Sequence, residues 1–277
     1  MAPEGAHAKG TFSTQRMDMW WLEPALIFLL LSGFVVYATF RILESTYTPA
    51  HRFFDVDNGH YHYLSPFGTP DLTMLIPAGL ANIPVLGLFL TNPAFLILPF
   101  PAGFRFTCYY YRKAYYRSFA ARPAACAVEA VKGKKYRGEK GLMVVQNLHR
   151  YFLYAAILIT AFLAYDAVRS IVTPNGLYFG LGSALMLVNV GLLCAYTFGC
   201  HSLRHLVGGK LDCFSCDAIG QTRYKWWQFA SRLNSRHMLF AMTSLVSVAL
   251  TDIYIRWVGQ QLAADPSFSL LWGMVPA

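Results

Sequence analysis

Long apolar stretches separated by short polar segments are the main pattern of this chain. Four of the stretches are long enough to cross about 30 Å of hydrocarbon as α-helices, and a fifth is nearly so. We predict spans at residues 22–40, 72–90, 151–168, 177–198 and 238–258. The apolar run at residues 93–101 is too short and too proline-rich for a span, so we interpret it as a re-entrant or interfacial piece, or as an extension of the second helix. The predicted fold is an all-α polytopic membrane protein, a five-transmembrane-helix bundle with cytoplasmic interfacial helices, in a single domain over residues 1–277.

The composition agrees with the apolar pattern. Hydrophobic residues make up 56% of the chain, charged residues 13%, and the mean hydropathy is +0.38. Soluble domains are about 45–50% apolar and about 25% charged, so an ordinary water-soluble enzyme is excluded. Disorder and a disulfide scaffold are excluded as well. The longest loop, of roughly 45 residues, is too short for an independent enzyme domain with a sizeable core.

The net charge of +9 is a signal of topology. Lysine and arginine concentrate in two loops, at residues 103–148 and 204–236, and the positive-inside rule places such loops in the cytoplasm. The sequence therefore predicts a multi-pass protein of the cell membrane with a cytoplasmic N-terminus. Because the charge is explained by membrane orientation, we expect no nucleic acid among its partners.

Four histidines fall at the predicted cytoplasmic ends of three different helices. They are His149, His201, His205 and His237. A single histidine at a helix end is most often a solvated residue, but ionisable groups that converge at membrane depth indicate function. His201 and His205 are four residues apart and therefore share one helical face, which allows both imidazoles to reach one metal.

Five cysteines map to the same side of the membrane or to its boundary. They are Cys108, Cys126, Cys200, Cys213 and Cys216. The cytoplasm is reducing, so structural disulfides are not expected there, and the C-x-x-C pair Cys213 and Cys216 is interpreted as a metal or redox pair or as inert loop cysteines. Two cysteines with two histidines fit a Rieske-type [2Fe–2S] cluster or structural zinc. Histidines alone, from different helices, would instead fit haem b.

Several blocks of sequence resemble a known family. They are FRFTCYYYRKAYYRSF (residues 104–119), PAACAV (123–128), QNLHRYF (146–152), FGCHSLRHLVGG (198–209) and LNSRHM (233–238). The blocks are similar to the membrane-anchor (cytochrome b-like) subunit of an actinobacterial-type succinate dehydrogenase, respiratory complex II. The resemblance spans most of residues 104–238 and is weaker at both termini.

The resemblance implies a role in electron transfer. Such a subunit is not catalytic alone; it anchors a flavoprotein and an iron–sulfur subunit in membrane lipid and passes electrons from succinate to a quinone, expected to be menaquinone. The family implies a membrane-embedded Rieske-type [2Fe–2S] cluster. The alternatives are a subunit that carries haem b and a purely structural anchor. A second set of deep histidines is missing from the sequence, so two haems are not expected.

The resemblance also suggests site residues. His201 and His205 match the GCHSLRH block and are predicted as ligands, while Cys108 and Cys126 are predicted as the thiolates because they stand in the first two blocks. Cys200, Cys213 and Cys216 remain competitors for the thiolate positions. A quinone needs donors and an acid near the cytoplasmic surface. The residues predicted to supply these groups are His149, Arg150, Arg232, Ser235 and His237.

Overall fold

Long apolar helices dominate the computed structural model, which describes residues 10–47, 54–57, 62–131, 144–265 and 275–276. In chain order the helices are α1 (Leu22–Tyr47), α2 (Ala78–Ala81), α3 (Leu86–Leu90), α4 (Pro93–Ile97), α5 (Pro99–Phe106), α6 (Tyr109–Ala114), α7 (His149–Arg169), α8 (Leu181–Phe198), α9 (His201–Gly208), α10 (Ala218–Asn234) and α11 (His237–Ala264). The strands are β1 (Asp55–Asp57), β2 (His62–Leu64), β3 (Val172–Thr173), β4 (Gly176–Phe179) and β5 (Val275–Pro276). The predicted helical membrane fold is confirmed.

Four of the described helices are long and apolar enough to cross a membrane: α1, α7, α8 and α11. They correspond to the first, third, fourth and fifth predicted spans. Their apolar windows are only 6–39% buried within the chain, so most of their surface is available to lipid or to other subunits. Helix α11 packs against α8, α8 packs against α7, and α5 packs against α7.

The second predicted span, residues 72–90, is wrong as a continuous helix. The segment is broken into a 3₁₀ turn (Thr73–Leu75) and the short helices α2 and α3. Pro77 and Pro84 explain the breaks, because proline lacks the N–H of a helical hydrogen bond and restricts the preceding residue. A shorter apolar helical run, Pro93–Phe106, follows and packs against the long helices through α5.

The strands form two small sheets, and β5, which follows the last helix, joins the second of them. β1 and β2 pair antiparallel with Val56 opposite Tyr63, and β4 lies between β3 and β5. The ring of Tyr63 is buried against Gly182 of α8, where a Cβ atom would lie 2.5 Å from it. Gly182 therefore allows this hairpin to cover one end of the bundle.

A buried charge cluster, formed by Arg41, Glu44, Asp252 and Arg256, joins α1 to α11 at that end. The Nε atom of Arg41 donates to Asp252 at 2.7 Å, and its Nη1 atom donates to Glu44 at 2.7 Å. Arg256 donates to both carboxylate oxygens of Glu44, through Nε and Nη2, and shares Oε2 with Arg41. Two positive and two negative charges balance each other, which is how charged groups are tolerated inside a membrane bundle.

Candidate metal centre

Two cysteines and two histidines meet at the opposite end of the bundle, around a cavity of about 350 Å³. Cys108 immediately precedes α6, His149 begins α7, Cys200 lies between α8 and α9, and His237 begins α11. All four are buried. Because each comes from a different element, the group is assembled only when the bundle folds.

The four side chains form two thiol–imidazole pairs. The Nε2 atom of His149 is 3.0 Å from the sulfur of Cys200, and the Nε2 atom of His237 is 3.7 Å from the sulfur of Cys108. Both pairs line the same cavity. We refer to these four residues as the thiol–imidazole cluster.

Aromatic rings and one hydroxyl fix the two imidazoles. The ring of Phe104 stacks on His149 with 4.6 Å between centroids, and the ring of Tyr196 stacks on His237 at 4.8 Å. The hydroxyl of Thr107 is 2.9 Å from the Nδ1 atom of His149. With Nδ1 occupied in this way, Nε2, which contacts the sulfur of Cys200, is the nitrogen that could bind a metal.

Burial controls the protonation of the two thiols. It raises the pKa of Cys200 to about 11, and it raises the pKa of Cys108 as well. Without a bound cation, both sulfurs therefore remain protonated at neutral pH. A metal bound by the sulfurs would reverse this preference, because a coordinating thiol is deprotonated by the charge of the ion.

Arg105 places a positive charge beside the thiol–imidazole cluster. Its Nη1 and Nη2 atoms donate to the carbonyl oxygen of Ala241 at 2.7 Å and to the hydroxyl of Ser244 at 2.9 Å. Its guanidinium lies 4.7 Å from the ring centroid of Tyr196. Among the described residues, no carboxylate forms an ion pair with it. The uncompensated cation favours negative charge nearby.

The predicted metal ligands lie in three places. Of that set, only Cys108 belongs to the thiol–imidazole cluster. Cys126 is exposed, with its sulfur 3.6 Å from a guanidinium nitrogen of Arg117. His201 and His205 share one face of α9 with 5.3 Å between ring centroids, and His201 also lines the cavity. His205 instead lines a neighbouring cavity of about 210 Å³ beside Trp227.

The predicted quinone residues are also separated in the structure. His149 and His237 are buried in the thiol–imidazole cluster, whereas Arg150, Arg232 and Ser235 are exposed on the surface of the chain. Cys213 and Cys216 form a disulfide, contrary to the expectation of free thiols. Cys200, one of the competing cysteines, is the second thiol of the cluster.

The comparisons with known proteins agree on a family. The profile of the family described as "Actinobacterial succinate dehydrogenase subunit SdhC" matches residues 22–261. The chain belongs to this family. The solved structure of the Mycobacterium smegmatis Sdh1 complex in the apo form contains a chain that is 40% identical, with a TM-score of 0.75. The match covers 96% of this chain and 98% of that one. Among curated proteins there is no match.

Family membership shows that this SdhC-family chain is one subunit of a larger enzyme complex. It is a multi-pass membrane subunit of a succinate dehydrogenase complex. Cys108, His149, Cys200 and His237 all fall within the matched residues, as do Cys126, His201 and His205. Membership alone therefore does not choose between the two possible ligand sets, and the choice depends on the geometry described above.

Proposed function

We propose that the chain passes electrons from the iron–sulfur subunit of succinate dehydrogenase to a membrane quinone through a Rieske-type [2Fe–2S] cluster. Its ligands would be the two thiols and two imidazoles of Cys108, Cys200, His149 and His237. The observation that carries the proposal is their convergence around one buried cavity. Iron and acid-labile sulfide analysis, with low-temperature EPR on the intact complex, tests it.

The donor set fits two irons better than one ion. Among the described residues, no three Cys, His, Asp or Glu side chains are grouped closely enough to hold one metal ion. A Rieske-type cluster needs only two protein ligands per iron, two sulfurs on one and two imidazoles on the other. The sulfurs of Cys108 and Cys200 and the imidazoles of His149 and His237 line the same cavity, as such an arrangement requires.

Haem b is the second candidate, and the same contacts disfavour it. A haem with two histidine ligands needs both imidazoles to face each other across an open slot. Here His149 faces the sulfur of Cys200 and His237 faces that of Cys108. A Soret band that retains its intensity after purification of the complex would favour haem, whereas a Rieske-like EPR signal would favour the cluster.

In this proposal, the residues around the site position one ligand, exclude water and offset charge. A bound cluster would supply a one-electron carrier with a higher potential than an all-cysteine cluster. Thr107 holds Nδ1 of His149 and leaves Nε2 for the metal. Phe104 and Tyr196 cover the imidazole faces and exclude water, while Arg105 offsets the negative charge of the thiolates.

We expect Tyr196 to tune the potential. Its hydroxyl is buried without a hydrogen-bond partner among the described residues, and its ring stacks on His237, which also contacts Cys108. We expect this hydroxyl to donate to the sulfur of Cys108 once that sulfur is a thiolate. Donation to a thiolate stabilises the reduced, more negative cluster. Tyr196→Phe should therefore lower the midpoint of the Rieske-like EPR signal by about 60 mV, equivalent to a tenfold change for one electron.

The control for this titration is Tyr165→Phe, since Tyr165 is exposed on α7. The midpoint potential of the Rieske-like EPR signal in Tyr165→Phe should equal that of the unsubstituted complex. An unshifted midpoint in Tyr196→Phe would show that the hydroxyl does not donate to the cluster.

The electron acceptor is proposed to be menaquinone, and the electron donor the iron–sulfur subunit, itself attached to the flavoprotein. Helix α10 supports docking of a partner at this end, because it exposes large apolar side chains among basic ones. The apolar ones include Ile219, Trp226 and Phe229. Exposed aromatic side chains of this kind are enriched in protein interfaces.

We propose that the thiol–imidazole cluster faces the cytoplasm and that the N-terminus is cytoplasmic, in the cell membrane. The basic segment at residues 204–236, which includes α10 and carries six lysine or arginine residues against two aspartates, supports this orientation. A cysteine at Asn175, between α7 and α8, should react with an impermeant maleimide from outside intact spheroplasts. A cysteine at Lys210, after α9, should react only after permeabilisation. The reverse labelling pattern would place the thiol–imidazole cluster and the N-terminus outside the cell, and would contradict the proposed orientation.

A further inference from the structure

An open groove of about 960 Å³ runs along the C-terminal half of α7. Its lining on this helix extends from Ala155 to Asp166, and most of residues 68–75 form another part of its wall. A helical rise of about 16 Å separates Ala155 from Asp166, which is roughly half of the ~30 Å hydrocarbon thickness of a bilayer. The groove therefore has the length of one lipid leaflet.

The wall of the groove is apolar over most of its length. Leu158 and Phe162 of α7, with Met74 and Leu75 of the broken segment, line it and are 41–81% exposed. Contiguous exposed apolar surface of this kind marks a site of contact with lipid or with another molecule. A concave apolar surface one leaflet long suits an acyl chain.

One end of the groove is acidic. Asp166, near the end of α7, and Asp71 both line it. Asp166 is only 6% exposed, and its Oδ2 atom is buried without a hydrogen-bond partner among the described residues. A buried carboxylate is costly unless a donor or a cation pairs with it. This end of the groove therefore favours a cationic hydrogen-bond donor.

A positive charge lies one helical turn beyond Asp166. Arg169 follows it by three positions, so the two side chains share a face of α7, with about 5–6 Å between their Cβ atoms. Arg169 is exposed. A carboxylate and a guanidinium at this spacing complement a zwitterionic headgroup in which two carbons join an ammonium to a phosphate.

We propose that this groove binds a phospholipid with a primary ammonium headgroup, of the phosphatidylethanolamine class. The ammonium would donate to Asp166, the phosphate would contact Arg169, and an acyl chain would lie along α7 toward Ala155. Phosphatidylcholine has the same charges but no N–H donor, and phosphatidylglycerol has no cation, so both should bind more weakly. The site lies at the opposite end of α7 from His149 and is independent of the proposed electron transfer.

Photocrosslinking of the intact succinate dehydrogenase complex tests the position and the headgroup. The probe is phosphatidylethanolamine with a diazirine in the middle of one acyl chain, present as a trace in phosphatidylglycerol nanodiscs. We expect label on residues 155–162 of α7. Unlabelled phosphatidylethanolamine should displace it at a mole fraction at least tenfold lower than phosphatidylcholine does, because only the primary ammonium donates a hydrogen bond. Label absent from α7, or equal displacement by the two lipids, would overturn the proposal.

Asp166→Asn tests the headgroup contact. The amide retains the shape of the side chain without its charge, so the two lipids should displace the label at mole fractions within about twofold of each other. Asp212→Asn is the matched control, since Asp212 is exposed in the segment after α9, and it should retain the preference. An assembled Asp166→Asn complex that still prefers phosphatidylethanolamine tenfold would overturn the proposal.

Leu158→Trp tests the path of the acyl chain. The larger side chain fills the groove, so label on α7 should fall at least tenfold. Val188→Trp, on α8, is the matched control, because Val188 is 57% exposed and Leu158 is 59% exposed, and it should leave the label unchanged. Undiminished label in Leu158→Trp would contradict the proposed chain path. If the Asp166→Asn complex does not assemble, this pair of variants and the lipid competition in the unsubstituted complex decide.

Discussion

Replacing His149 and His237 together by alanine is expected to abolish succinate-dependent quinone reduction. Both imidazoles would be lost from one iron, so the Rieske-like EPR signal should disappear too. Succinate oxidation by a soluble dye should largely survive, because the dye accepts electrons before they reach this subunit. We expect the loss of quinone reduction to exceed the roughly 10–100-fold effect typical of removing a residue that only orients a metal ligand.

The matched control is the double variant His201→Ala, His205→Ala. These histidines lie on α9, and only His201 reaches the edge of the cavity. The EPR signal should persist in this variant. The opposite result would be loss of the EPR signal in the variant of His201 and His205 and its retention in the variant of His149 and His237. It would show that the histidine ligands predicted from the sequence are correct and that the thiol–imidazole cluster is not the metal centre.

The second large effect is expected from the cysteines. Cys108→Ser and Cys200→Ser should each remove the iron and acid-labile sulfide bound by this subunit, because each would leave one iron with a single thiolate. Cys126→Ser should retain both, since Cys126 is exposed and lies outside the cavity. Elemental analysis of the purified complex, corrected for the iron of the soluble subunits, provides the measurement.

Two results would contradict this assignment. Full cluster content in Cys200→Ser would remove Cys200 from the ligand set. Loss of the cluster in Cys126→Ser, in a complex that still assembles, would restore the pair predicted from the sequence.

Hydropathy was sufficient to predict the four long helices, because each is an uninterrupted apolar stretch. It failed at residues 72–90, where Pro77 and Pro84 interrupt a stretch of the right length. It also could not pair Arg41 with Asp252, which are 211 positions apart and meet only through the packing of α1 on α11.

The sequence predicted functional residues at the same helix ends as the thiol–imidazole cluster, and Cys108, His149 and His237 were among them. Helix ends show which side chains share a depth in the membrane, but they do not show which way each side chain points. The chain leaves its helical path at Cys200, where extended backbone separates α8 from α9. That break directs Cys200 toward His149, whereas the H-x-x-x-H pair continues on a new helix. The single signal for Cys200 was its place beside His201 in a matching block.

The buried charge cluster has a consequence for how the chain is made. Arg41 enters the bilayer with α1 near the start of synthesis, when Glu44 is its nearby carboxylate, three residues further along the same helix. Asp252 arrives with the last long helix. An arginine without its full set of partners is costly at membrane depth. Insertion of α11 therefore completes the charge balance, and a nascent chain that stops before Asp252 leaves Arg41 without one of its two carboxylate partners.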